Sequence, residues 1–537
     1  MNLRTGPCRV VRLELPIACV LLTIMFGQLF YGAVQMGLAY DELFHISAGA
    51  ATVDSGVRRL VLDHPPLGHY LAGLALKGLD PVYDRVQYQH ADFARDGFSF
   101  GYAFFNANVH RFGQILLAAR LPFMALCVVG GVYCYLLSRS FWGKPAAIFS
   151  LVLYVFSPAL LAWNRFVYLD GLLASVAIAA LSHLCWFLRS RHRGHLAATA
   201  FFSAATLCSK YSGVFIVPVV LAAVLLAPDW FGERQISLRQ RSIEALAWTV
   251  GTSLLLWGAY GCPLDPFFYS RGAALIYSSA PPGYRFYLFG EFRPGWWYYY
   301  LVQWLVKSTL PSLLITAGLV AAVCFGLARR NHVSTRRKYW PALLLAGTAF
   351  SFLWLTSWKS LDIGARYLVP MVPMVCAASG ALFDASVLPR RTMVNFGLWS
   401  MAVWHAWTTV RSFPDEMGYF NQLVGGSKRG IFVANDASLD AGQNLPRLAR
   451  YLQRRGNPVV KLYYQGTDEP SRYGIRYQPV TQFEWDTASV PGLYAISSYP
   501  LAYGQLTARE KPNHRDWLNE LKPVVVIGNS IWVYELR

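Results

Sequence analysis

Asp41 and Glu42 stand side by side just past the first apolar run, in "YDELFHISAGAATVDSGVRRLVLDHPPLGHY" (40–70), and His45, His64, Pro65 and Pro66 follow. Carboxylates at a membrane surface accept protons from hydroxyls when held within hydrogen-bond reach. The proline pair fixes backbone angles and forbids a helix through it, giving a rigid bend that would aim a carboxylate at one point. Plainer readings make Asp41 an N-cap, Glu42 an interfacial charge and Pro65-Pro66 a helix-starting turn.

Four cations, Arg165, Lys210, Lys307 and Arg366, sit at the ends of apolar stretches. An unpaired charge in mid-bilayer costs about 2.5–3.5 kcal/mol, so such residues face a partner or a wet cavity, or snorkel to the headgroups. Asp170 opens an apolar helix and is either a cap or a partner for one of these cations. Arg285 and Glu291 lie among Tyr284, Tyr287, Phe289, Trp296 and Trp297. Aromatics at that depth anchor a chain at the interface, and the alternative is a lid over a site. His45, four residues after Asp41, shares a helix face with it, and a divalent metal on Asp41, His45 and His64 is one arrangement to consider. No Cys/His spacing resembles a zinc site, and no cysteine follows Cys376.

The elements that must position these groups are membrane helices. The chain of 537 residues is 55% hydrophobic and 14% charged, against about 25% charged in a soluble protein. Apolar periodicity predicts about eleven spans, with a plausible range of about ten to thirteen. They fall near 15–38, 113–137, 146–163, 170–188, 195–209, 211–227, 244–262, 298–325, 340–357, 366–385 and 392–410. The first is too long for a signal peptide. Arg139 and Lys144, Arg189–Arg191–Arg193, Arg234–Arg239–Arg241, Arg329–Arg330–Arg336–Arg337–Lys338 and Arg390–Arg391 share one side with the N-terminus. The positive-inside rule makes that side cytoplasmic. Topology-setting arginines facing anionic headgroups account for the net charge of +19, which therefore calls for no nucleic acid.

An odd number of crossings puts the stretches 39–112, 263–297 and 411–537 outside, and divides the chain into a membrane domain, 1–410, and an extracytoplasmic domain, 411–537. In the latter, "GIFVAND", "VVKLYYQG", "GLYAISSYPL" and "PVVVIGNSIWVYEL" read as strands, and "NLPRLARYLQRRG" and "DWLNEL" as helices, a small α/β unit.

"DE" outside the first helix followed by "HPPLG" resembles the protein O-mannosyltransferase family, bacterial branch. It also resembles the wider group of polyprenyl-phosphate-sugar-dependent transferases of GT-C fold, which includes the lipid A aminoarabinose transferase. "NRFVYLDGLL" (164–173) is similar to the family's Arg-x4-Asp stretch, "SKYSG" (209–213) to its Lys-aromatic-x-Gly, and "GARYLVPMVP" (364–373) to its Gly-x-Arg-Tyr-x-x-Pro. "YFNQLVGG" (419–426) and "DASLDAGQNLPRLARYL" (436–452) resemble the start of the exported domain in bacterial relatives. There the resemblance implies Trp where Ala441 stands, which leaves Asp440 without an implied role.

The resemblance implies a multi-pass inner-membrane enzyme of GT-C fold. It would move one sugar from a polyprenyl-phosphate donor to an acceptor hydroxyl at the outer face, inverting the anomeric centre. The acceptor is a protein, with lipid A or another glycolipid as the alternative. Asp41 is then the base and Glu42 orients partner groups. Arg165, Lys210, Arg366, His64 and Arg285 are expected at the donor phosphate, with Asp170 beside them. No catalytic metal or cofactor is implied. A transporter of lipid or solute would instead place charges and broken helices at mid-membrane, whereas these charges gather at the outer ends.

Overall fold

A computed structural model describes residues 14–92, 95–227, 236–279, 285–328, 333–359, 362–384, 391–436, 439–481, 484–485, 490–502 and 521–537. Helices form in every one of the expected spans. Four are long and apolar enough to cross a membrane: Glu14–Gln35, Val109–Trp142, Leu169–Ser190 and Tyr339–Ser357. Two bent pairs, counted as single spans, bring the number to six among the described residues. The remaining expected spans fold as helices that are shorter or more polar, including Arg193–Ser209, Leu238–Ala259 and Arg391–Ser412.

Both bends have local causes. Lys144–Val155 and Pro158–Asn164 meet at 55°. Pro158 cannot continue the preceding helix, and Ser157 Oγ caps the new one by accepting from Leu160 N at 3.5 Å. Tyr299–Lys307 and Leu310–Phe325 meet at 119°. Thr309 Oγ1 caps the second helix through Ser312 N at 3.3 Å. The single helix expected over 298–325 is therefore two. The Leu169–Ser190 helix is apolar on nearly all sides and lies at the centre of the bundle, whereas Glu14–Gln35 turns Leu15, Val20 and Val34 outward.

The three stretches expected on the outer side touch one another. A hairpin from the second, β1 (Phe286–Leu288) and β2 (Glu291–Arg293), pairs antiparallel with β3 (Ala434–Asn435) in the order β2-β1-β3. "GIFVAND" is thus a two-residue strand, and it joins the hairpin rather than the main C-terminal sheet. That sheet holds β4 (Val460–Tyr463), β5 (Tyr477–Pro479), β6 (Gly492–Ser497), β7 (Val525–Ile527) and β8 (Ile531–Leu536) in the order β5-β4-β6-β8-β7. β4 runs parallel to β5 and β6, and β8 runs antiparallel to β6 and β7. The Leu445–Gln453 helix buries Leu445, Leu448, Ala449 and Leu452 in the apolar cluster that holds Val460 and Val533. The expected helix at "DWLNEL" lies almost wholly outside the described residues.

Candidate active site

Asp41 occupies the N-cap position of the Glu42–Ser55 helix, yet its side chain makes no capping bond. Its Oδ2 instead accepts from Arg366 Nη1 at 2.6 Å. Lys210 Nζ donates to Asp170 Oδ1, also at 2.6 Å. Two aromatic rings knit the pairs together. Tyr367 lies 3.8 Å from Lys210 Nζ and 5.8 Å from the Arg366 guanidinium carbon, measured to its ring centroid. The Tyr168 ring lies 5.5 Å from the same guanidinium carbon, and Tyr168 Oη accepts from Asp41 N at 3.4 Å. Cations over aromatic faces keep part of their stabilisation after leaving water.

Local backbone explains this convergence. The Arg193–Ser209 helix ends at Lys210, whose extended backbone throws the side chain back toward Asp170 in the first turn of Leu169–Ser190. Arg366 lies in a 3-10 turn, Ala365–Leu368, that follows Gly364 at φ +96°, a conformation that favours glycine. Burial pushes the Asp41 carboxyl up, but the Arg366 guanidinium holds it below the ordinary aspartate range. The free site therefore holds an ionised acid against a cation.

Glu42 does something else. Its carboxylate is fully buried and accepts from Arg120 Nε (2.8 Å) and Nη2 (2.6 Å), Ala39 N (2.9 Å) and Val167 N (3.0 Å). Arg120 also donates to the carbonyls of Ala33, Met36 and Gly37. All this capacity is spent on tying the outer end of the first helix to its neighbours. Arg165 is similar: its guanidinium donates to Glu416 Oε2 (2.6 Å), Leu161 O (2.6 Å) and Pro414 O (2.8 Å). Arg285 is exposed just before β1. Lys307 donates to Met417 O at 3.2 Å and packs on Phe420.

On the other side of Asp41, His45 Nδ1 lies 2.9 Å from His69 Nε2, and its ring centroid is 5.2 Å from that of His64. Burial, with His64 beside it, lowers the His45 pKa to about 3, so the ring is neutral. His64 Nδ1 is 3.1 Å from Asp63 Oδ1. Arg58 Nη2 clamps this turn through His64 O at 2.6 Å. Val61 there takes φ +54°, a strained conformation for a β-branched residue. Among the described residues no three His, Cys, Asp or Glu side chains are arranged to hold a metal ion, so Asp41, His45 and His64 do not form one.

An apolar cavity lies where the two bent helix pairs face each other. Leu153, Pro158, Ile315, Leu368 and Val372 line it, and so does Ala365, the chain neighbour of Arg366.

Sequence reasoning missed Arg120, Tyr168, Tyr367 and Glu416. Arg120 carried a usable signal, a charge inside an apolar helix. Tyr168 and Tyr367 adjoin residues already singled out, but an aromatic beside a membrane interface has many other uses.

Residues 100–255 match the sequence model of a family described as dolichyl-phosphate-mannose-protein mannosyltransferase. That stretch, well under half of the chain, contains Arg120, Arg165, Tyr168, Asp170 and Lys210 but neither Asp41 nor Arg366. No curated protein matches the chain. Among solved structures, ArnT from Cupriavidus metallidurans bound to undecaprenyl phosphate superposes with a TM-score of 0.47 and 16% identity over 97% of both chains. The oligosaccharyltransferase of Archaeoglobus fulgidus in the apo form gives 0.49 and 10% identity over 92% of this chain and 71% of its own.

Proposed function

We propose that the chain is a membrane glycosyltransferase of GT-C type that moves a sugar from a polyprenyl-phosphate donor to an acceptor hydroxyl. The observation that carries this reading is the paired constellation, Asp41 with Arg366 and Asp170 with Lys210, gathered around Tyr367. A hydroxyl is a weak nucleophile at neutral pH and needs a base within hydrogen-bond reach. A leaving phosphate needs cations where its charge develops. Both are present within one cluster.

In this reading the acceptor oxygen attacks the anomeric carbon while its proton passes to Asp41. The bond from that carbon to the phosphate oxygen breaks on the opposite face, and its electron pair leaves with the phosphate, held by Arg366 and Lys210. One displacement inverts the centre. Tyr367 touches both cations, and Tyr168 flanks Arg366. The apolar cavity beside Ala365 suits an isoprenoid tail.

Mannose as the sugar and protein as the acceptor follow from the resemblance and from the family description matched over residues 100–255. Residues 1–410 would form the catalytic membrane domain, with the N-terminus in the cytoplasm. Residues 411–537 would form an extracytoplasmic domain that seats the segment preceding Asp41.

The test is transfer of radiolabelled mannose from polyprenyl-phosphate mannose to protein, in proteoliposomes of the full chain. Asp41→Asn should lower the rate by on the order of 10²–10⁴-fold while the protein still inserts and folds. Full activity in Asp41→Asn would refute the base assignment.

A further inference from the structure

The proposed base and one of the proposed phosphate cations are bonded to each other, and their distance of 2.6 Å is that of a strong charge-assisted contact. A carboxylate engaged by a guanidinium is a poorer base, and a guanidinium engaged by a carboxylate is a poorer anion ligand. We propose that the Arg366–Asp41 pair is a lock on the base, opened when the donor's phosphate takes Arg366 for itself. This rests on the reading above and adds an order of events: carrier lipid first, acceptor second.

Three features of the site favour exchange over a permanent strut. The first is exposure. The Asp41 and Arg366 side chains are 26% and 13% exposed, whereas the strut pairs Arg120–Glu42 and Arg165–Glu416 are at 1% or less on both sides. The second is unused capacity. Arg366 Nε is buried without a hydrogen-bond partner. Arg120 and Arg165, in contrast, spend donors on several backbone carbonyls as well as on their carboxylates. The third is the path. Tyr168 and Tyr367 flank the guanidinium, so it can shift across aromatic faces without losing its cation–π contacts.

Charge counting gives the direction. Asp41 and Asp170 balance Arg366 and Lys210 in the free site. A sugar-phosphate diester adds one negative charge, draws Arg366 away and raises the proton affinity of Asp41. Asp41 therefore becomes a stronger base only while the donor is present. After transfer, a protonated Asp41 no longer competes for Arg366, which stays with the more highly charged carrier monophosphate. Loss of that proton to water restores the pair and expels the carrier. Without donor the base stays masked.

Linkage makes this testable on binding alone, because whatever the phosphate takes from Asp41, Asp41 takes from the phosphate. The probe is a polyprenyl monophosphate titrated onto the full chain in nanodiscs. Asp41→Asn should bind it roughly tenfold tighter than wild type, within the range of about 5- to 150-fold seen for coupled sites. Arg366→Gln should bind weakly, and adding Asp41→Asn to it should then change nothing. Thermal unfolding verifies that each variant is folded, and Asp41→Ser replaces Asn if that variant is not. Equal or weaker binding by a folded Asp41 variant overturns the lock while leaving the enzyme assignment standing. Absence of binding by wild type and variants alike overturns the donor assignment and the lock with it.

Discussion

The backbone N–H of Tyr40 donates to the carbonyl of Ala441 at 2.8 Å, which joins the residue before Asp41 to the C-terminal portion of the chain. Gly37 N donates to Gln443 O at 2.9 Å, and Thr467 Oγ1 to Tyr40 O at 3.2 Å. Residues 37–40 are thus held by the C-terminal segment on one side and by Arg120 and Glu42 on the other. The site depends on both halves of the chain even though every proposed catalytic side chain precedes residue 411.

Gly37 tests that dependence. A Cβ added there would clash with Tyr473 Oη and meet Pro446 Cδ at 3.1 Å. Tyr473 cannot swing away freely, because its hydroxyl is bonded to the buried Asp468. Gly37→Ala should cost about 1–3 kcal/mol of strain, either prising the C-terminal segment off or shifting Asp41. A reaction that demands near-attack geometry loses on the order of tenfold or more from such a shift. Transfer activity should fall at least that far while the protein still inserts and extracts as a monodisperse species. Unchanged activity would mean that the contact does not position the base.

Asp41 with Arg366 and Asp170 with Lys210 were legible as candidates because a charge at an apolar helix end must find a partner, and few are available. Their pairing was not legible, since it depends on how a 3-10 turn at Ala365–Leu368 faces the start of a helix far away in the chain. The partner of Glu42 was hidden for the same reason: Arg120 lies two turns inside an apolar run, where periodicity shows a helix and hides what one face holds. The helices came through well, since a period of 3.6 is a local property. "GIFVAND" did not, because a strand joins the edge that tertiary structure offers it, and here that edge is the β1–β2 hairpin.

Arg165 was expected at the donor phosphate, and the structure pairs it with Glu416 at 2.6 Å, both side chains buried. Removing either partner alone should destabilise the protein by about 3–5 kcal/mol, because the other charge is left buried and unpaired. Replacing both with methionine should cost much less than the sum of the single losses. Unfolding midpoints of wild type, Arg165→Met, Glu416→Met and the double variant give the coupling. The double variant should also bind polyprenyl monophosphate as wild type does. A large loss of binding in that folded double variant would return Arg165 to the phosphate.

Asp440 gives the protein a pH dependence of predictable sign. It precedes the carbonyls that hold Tyr40 and Gly37, and its Oδ1 accepts from Gly442 N at 3.0 Å. Burial pushes its carboxyl up to about 7, against Gly442 N–H and the Ser497 and Ser530 hydroxyls, which pull the other way. An unfolded aspartate titrates near 3.9. Between those values the folded state keeps a proton that the unfolded state has shed, so the contribution of Asp440 to stability falls as pH rises from about 4 to about 7, then levels off. The slope from this one group is at most about 1.4 kcal/mol per pH unit. Asp362, whose carboxyl is likewise raised to about 7 by burial, adds a second contribution of the same sign. Asp440→Asn should therefore gain on wild type as pH rises through the window. Unfolding midpoints from pH 4 to 8 measure it, and two parallel curves would show that Asp440 is ionised throughout.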